Sequence, residues 1–194
     1  MPKKLAGQRV LPATSRMKDM EAILASPFTY MVLLGGRLGQ LKPIVDVAKK
    51  HGKQVLLHAD LIDGLKNDEY AAEFLCQTIQ PAGLISTRAS VIKVANKNGL
   101  LAILRLFAID SEAIERNFLI LEKYQPDYIE ILPGIVPEVI EEIKQRTQVP
   151  IIAGGLIKTE QHVEQALAAG ATAITTSRKQ LWVASYAGEG KRDE

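Results

Sequence analysis

The chain has 194 residues, 47% apolar and 24% charged, with a formal net charge of +2. That balance fits a single soluble globular domain and excludes a disordered or low-complexity chain, because there is apolar surface enough for a core and the 14 Gly and 9 Pro follow no period. The longest apolar runs, such as 30–34, fall far short of the ~20 residues a membrane-spanning helix needs, so no membrane partner is expected.

In chain order, a β-branched and aliphatic run at 9–13 is followed by a poorly patterned helical segment, 14–25. A second run, 30–35, leads into a helix striped by Leu41, Ile44, Val45 and Ala48 and closed by Gly52. The third, 54–60, precedes the stripe Ala71, Phe74, Leu75 and Thr78, where Cys76 reads as a core thiol. The fourth, 83–87, precedes Val91, Val94 and Ala95, closed by Gly99. The fifth, 101–107, passes through the capping residue Asp110 to Ile114, Phe118 and Leu121. The sixth, 128–132, precedes Val136, Val139, Ile140 and Ile143. The seventh, 151–153, leads through a capping Thr159 to Val163, Ala166 and Leu167, closed by Gly170. The eighth, 173–176, runs into a short helix expected over 177–181. The stripes carry the 3.6-residue period, and the glycines stand where a left-handed cap ends a helix.

Strands separated by helices pair in parallel through right-handed crossovers. Eight such units predict an α/β fold, a compact (β/α)8 TIM-type barrel, as one domain over residues 1–187; an open doubly wound sheet is the alternative. The class typically takes ~250 residues, so this barrel has little room for inserted loops. The Gly- and charge-rich segment 188–194 is expected to be a disordered tail.

Barrels place ligand sites in the loops that follow the strands, with phosphates often held after strands seven and eight. Gly154 and Gly155 follow the seventh run, and Thr175, Thr176 and Ser177 lead from the eighth into a helix. Glycine lets backbone N–H groups approach a phosphate, and a helix N-terminus adds donors, so these five residues predict a phosphate site. Arg37, in the loop Gly35–Gly39, is a further candidate anion contact. Arg105 and Glu130 fall near the ends of adjacent strands on one face, where an ion pair is expected; it reads equally as a structural pair or as one that orients a ligand. His58 and Asp60 read as one strand face, with Asp63 beyond; hydrogen bonding to a polyol suits them better than acid–base or metal chemistry. No lysine lies inside a predicted strand, so a Schiff-base mechanism lacks its nucleophile, and no metal or cofactor is expected.

The single cysteine, Cys76, permits neither a disulfide framework nor a thiolate zinc cluster, and with no signal-peptide pattern at the N-terminus a cytoplasmic location is expected. Charge is divided unevenly. Residues 1–97 carry 14 Lys and Arg against 8 Asp and Glu, a net +6; residues 98–194 carry 10 against 14, a net −4. Lys42, Lys49, Lys50 and Lys53 lie on or just after one helix, Lys93 and Lys97 on another, and Lys3 and Lys4 begin the chain. On composition alone these are solvated faces.

Seven segments recur together in order: 10–16 (VLPATSR), 33–37 (LLGGR), 58–64 (HADLIDG), 83–88 (GLISTR), 105–111 (RLFAIDS), 130–134 (EILPG) and 150–156 (PIIAGGL). The set resembles the glycerol uptake operon antiterminator regulatory family, the glycerol-3-phosphate-responsive antiterminators, over roughly Val10 to Trp182. The resemblance implies a barrel that takes glycerol 3-phosphate as effector and acts by antitermination on leader mRNA of glycerol-utilisation genes. A phosphate site at Gly154, Gly155, Thr176 and Ser177 suits such a ligand, polar groups such as Asp60, Arg105 and Glu130 suit its hydroxyls, and Lys49, Lys50, Lys53, Lys93 and Lys97, read from their charge, are the candidate RNA contacts. The resemblance leaves a homo-oligomer open. The rival reading is a small barrel enzyme, an isomerase, lyase or hydrolase of a phosphorylated triose or polyol, using His58, Asp60 and Glu130. A scaffold with a vestigial phosphate pocket is a third.

Overall fold

The computed structural model describes residues 5–187. Eight parallel strands close into one barrel: β1 (Val10–Thr14), β2 (Tyr30–Leu33), β3 (Gln54–His58), β4 (Gly83–Ser86), β5 (Leu101–Phe107), β6 (Tyr128–Leu132), β7 (Ile151–Ala153) and β8 (Ala173–Thr176). Each strand pairs with its sequence neighbours, and β1 closes the ring on β8 through Val10–Ile174 and Leu11–Thr175. The helices between and after them are α1 (Met17–Leu24), α2 (Leu38–Lys50), α3 (Glu69–Phe74, continued by a π turn, Leu75–Ile79), α4 (Ala89–Lys97), α5 (Ser111–Lys123), α6 (Pro137–Arg146), α7 (Glu160–Ala168) and α8 (Lys179–Ala187). The segments Gly36–Arg37 and Ile62–Asp63 form a separate two-stranded ladder. The open-sheet alternative is thereby excluded.

The period-2 alternation of the strands sorts the core into two shells. Val55 and Leu57 of β3 pack outward in the cluster that includes Leu41, Val45 and Ala48 of α2. Leu56 points inward with Leu11, Val32, Ile85, Ile103, Tyr128 and Ile152 and fills the barrel. Leu5 joins this inner shell, and its N–H donates to the Tyr128 hydroxyl at 3.1 Å. The Gln8 amide donates to the carbonyls of Val10 and Tyr30 and accepts from the N–H groups of Thr29 and Tyr30, so it ties the starts of β1 and β2 together.

Several expected boundaries shift, three of them with consequences for the site or its helices. The poorly patterned first helix is real but begins only at Met17. β3 ends at His58, and Ala59–Leu61 turns as a 3-10 helix, so Asp60 does not share a strand face with His58. The last helix starts at Lys179 rather than 177. The caps are as expected: Asp110 Oδ1 accepts from Ala113 N at 2.7 Å, and Thr159 Oγ1 from His162 N at 3.2 Å. Cys76 is buried, and burial, reinforced by the charge of Glu73, pushes its thiol up to about 11. The expected tail, 188–194, and Lys3 and Lys4 lie outside the described residues.

Lys53 corrects one expectation outright. It is 6% exposed, and its ammonium donates to the carbonyls of Ser26 and Phe28, at 2.8 Å for the latter. The turn at Gly52, with φ +72°, sends the chain off the end of α2 and carries Lys53 inward, onto the loop between α1 and β2. It is a structural cation and not part of the exposed basic set. Lys53→Met leaves two carbonyls without their donor and is expected to lower stability by about 1–3 kcal/mol in urea unfolding, whereas Lys49→Met should stay within about 0.5 kcal/mol of wild type.

Candidate functional site

The polar groups inside the barrel gather at the C-terminal ends of the strands. The register pairs Arg105 with Glu130 on β5 and β6, both inward. Arg105 Nε donates to Glu130 Oε2 at 2.7 Å, and Thr175 Oγ1 donates to Glu130 Oε1 at 2.7 Å. Glu130 is 1% exposed, so both oxygens of an enclosed carboxylate are matched, as a buried charge requires. Gly154 makes room for this. A Cβ there would stand 2.7 Å from both Glu130 Oε1 and Thr175 Oγ1.

Above this floor opens a pocket of about 310 Å3, at the small end of the range for ligand sites. Ala13, Leu34 and Leu132 give it apolar walls, Arg105 and Thr175 reach it from below, and residues 155–158 and 176–178 form its rim. Gly155 and Leu156 both hold positive φ, +74° and +61°, and the left-handed Leu156 is strained backbone at the rim. Helix α8 begins just past Ser177 and Arg178, so the positive end of its dipole stands beside the opening. Buried Asp19 anchors that helix: Lys179 Nζ and Arg16 Nη2 each reach its carboxylate at 2.6 Å, and these bonds, Lys179 foremost, hold its pKa low.

Several expected site residues thus come together and others do not. Gly155, Thr175, Thr176, Ser177 and Arg105 line the pocket; Gly154 and Glu130 do not, but pack against Thr175, and Glu130 also bonds Arg105. The Thr176 hydroxyl is already engaged, donating to Ile157 O at 3.1 Å and accepting from Arg178 N. Arg37 sits exposed on the small two-stranded ladder and is not among the lining residues. Asp60 is not a free polyol ligand either. It accepts from Ser86 Oγ at 2.5 Å, Thr87 N at 2.7 Å and Asn67 Nδ2 at 2.8 Å. Burial pushes its pKa up, but these hydrogen bonds together outweigh that and hold it below the usual carboxylate value. His58 is 2% exposed, and burial, aided by the charge of Arg105, lowers its pKa to about 4, so the ring is neutral at pH 7.

Two cations were missed by reading the sequence. Lys158 and Arg178 both line the pocket, are exposed, and have no ion-pair partner among the described residues. The signal was available, since each stands next to a motif residue in the loops after β7 and β8. Arg105 likewise has both Nη groups free of hydrogen bonds among the described residues. Three cations at the mouth of one small pocket favour a compact anion.

Sequence comparison decides the family. The family described as glycerol-3-phosphate responsive antiterminator matches residues 10–182. The chain belongs to this family. The crystal structure of the glycerol uptake operon antiterminator regulatory protein from Listeria monocytogenes str. 4b F2365 is 49% identical, covers 94% of this chain and 98% of its own, and superposes with a TM-score of 0.91. A glycerol uptake operon antiterminator-related protein from Thermotoga maritima MSB8 is 32% identical over 90% of this chain and 98% of its own, with a TM-score of 0.80. The uncharacterized protein YgcP of Escherichia coli (strain K12) is 33% identical over 88% of this chain and 91% of its own length.

In this antiterminator-family barrel, no group of three or more His, Cys, Asp or Glu among the described residues could hold a metal ion, and no helix there is long and apolar enough to cross a membrane. Asp60 sets a pH dependence. Its folded pKa is depressed, so its contribution to stability is present above the unfolded value near 4 and is lost as pH falls through the folded value. Asp60→Asn is expected to be less stable than wild type at pH 7, with the gap narrowing in urea titrations taken below about pH 4.

Proposed function

We propose that this protein is a glycerol-3-phosphate-responsive transcription antiterminator. It takes glycerol 3-phosphate as effector in the rim pocket, contacts leader mRNA of glycerol-utilisation genes, and turns nothing over. The observation that carries the ligand is the pocket itself: Lys158, Arg178 and the start of α8 for the phosphate, above Arg105 for the glycerol end. Gly155 and Ser177 supply close backbone and hydroxyl donors. A cofactor has no part in this reading, and the site of action is the cytoplasm, where transcripts are made.

The enzyme reading is less well supported by the same geometry. The two carboxylates that acid–base chemistry would use are committed: both Glu130 oxygens are bonded, and Asp60 accepts three hydrogen bonds.

For RNA, the supporting feature is charge. Lys49 and Lys50 are exposed in the last turn of α2, and Lys93 and Lys97 are exposed on α4. These helix ends lie towards the N-terminal rim of the barrel, opposite the pocket. Ligand and RNA then act across the barrel, and linkage makes each tighten the other by one factor. Segment 111–168 is acidic, with 10 Asp and Glu against 5 Lys and Arg, and would turn a phosphate backbone away.

Saturating glycerol 3-phosphate, at about 100 times Kd, should raise the melting temperature by roughly 5–10 °C, and Lys158→Ala with Arg178→Ala should remove most of that shift; no shift with wild type would sink the ligand. Lys49→Glu with Lys50→Glu should weaken leader-RNA binding and lower its salt slope by about 1 to 2, as read by titrations at several salt concentrations; an unchanged slope would place RNA elsewhere.

A further inference from the structure

One side chain in the barrel has no explanation in packing. His58 follows Leu56 on the inward face of β3, and both of its ring nitrogens, Nδ1 and Nε2, are buried without a hydrogen-bond partner among the described residues. An enclosed polar group without partners destabilises a fold, and a leucine of similar volume would fill the same space without that penalty. Glu130, Asp60 and Thr175 in the same barrel mouth all have their partners. His58 alone among these four is left unmatched.

Its position borders the pocket. The register of β2 on β3 pairs Leu33 with Leu57, which puts Leu34 beside His58, and Leu34 lines the pocket. Arg105 also lines the pocket and lies near enough to depress the imidazole's proton affinity. Arg105 is held through Nε to Glu130, and its Nη groups carry no hydrogen bond among the described residues.

A neutral imidazole offers one donor and one acceptor. The two nitrogens point to different sides of the ring, so each needs its own partner. Arg105 can only donate and ionised Glu130 can only accept, whereas a ligand hydroxyl can bond either nitrogen in either tautomer. We infer that His58 is the specificity-determining residue of the pocket: it receives a hydroxyl of the phosphorylated ligand at the inner end of the pocket, beside Arg105. The inference rests on the pocket reading above and adds to it the means by which a polyol phosphate is told from an alkyl phosphate. A site built to bond a hydroxyl rejects the analogue that lacks it, because its polar groups then stay unmatched.

The test compares glycerol 3-phosphate with n-propyl phosphate, which has the same chain and no hydroxyls, by calorimetric titration at pH 7. Wild type is expected to prefer glycerol 3-phosphate by tenfold or more. His58→Leu is expected to bring the two within about twofold while its ligand-free melting temperature equals or exceeds that of wild type. His58→Gln, which keeps a donor and an acceptor, is expected to retain at least a threefold preference, and it carries the test should the leucine variant fail to fold. A preference that persists undiminished in His58→Leu, or one absent from wild type, overturns the inference while leaving the phosphate pocket standing. Failure of both phosphates to bind wild type overturns the pocket reading and this inference together.

Discussion

The Glu130 carboxylate, gripped by Arg105 on one oxygen and by Thr175 on the other, is the contact around which the mouth of the barrel is arranged. A charge at 1% exposure is tolerated only when its bonds are complete. Completing them draws β5, β6 and β8 into one register-locked group and requires a residue without a side chain at Gly154, just past the end of β7, the strand between β6 and β8. The glycine read first as a phosphate-loop signal therefore has a prior duty, which is to leave room for the ion pair beneath the pocket. The bond that satisfies the buried charge also fixes the guanidinium that the pocket presents.

The molecule separates its two charged ends. Cations meet at the C-terminal rim through Arg105, Lys158 and Arg178, and again near the opposite rim through Lys49, Lys50 and Lys97 at the ends of α2 and α4. Lysines in a helix's last turn complement its dipole, which supplies a structural reason for their placement. Between the rims lies a packed interior, with Leu11, Val32, Leu56, Ile103 and Ile152 filling the barrel. On the proposed reading, coupling between the two rims would run through these close-packed strands, where small shifts are transmitted rather than absorbed.

Much of the site was legible because strand periodicity is rigid. Arg105 and Glu130 stand at the same parity near the ends of consecutive strands, and in a parallel sheet that is enough to make them neighbours. Asp60 was misplaced for the complementary reason. The two-residue period was carried past His58, whereas the chain leaves the sheet there to give Asp60 its three donors from Ser86, Thr87 and Asn67. Lys53 follows Lys49 and Lys50 by only a few positions and looks like them in sequence. The Gly52 turn makes it the opposite, a buried cation on two carbonyls.

The sequence by itself determined the architecture, the eight strands and their order, the helix caps at Asp110 and Thr159, and the family, because these depend on local periodicity and on ordered short motifs. Only the tertiary structure decided which polar groups are free to meet a ligand. A hydroxyl or carboxylate looks the same in sequence whether its bonds are taken or open. Thr175, Thr176 and Asp60 proved engaged, Lys158 and Arg178 proved open, and His58 proved enclosed and unmatched, since hydrogen-bond partners come from strands and loops far apart in the chain.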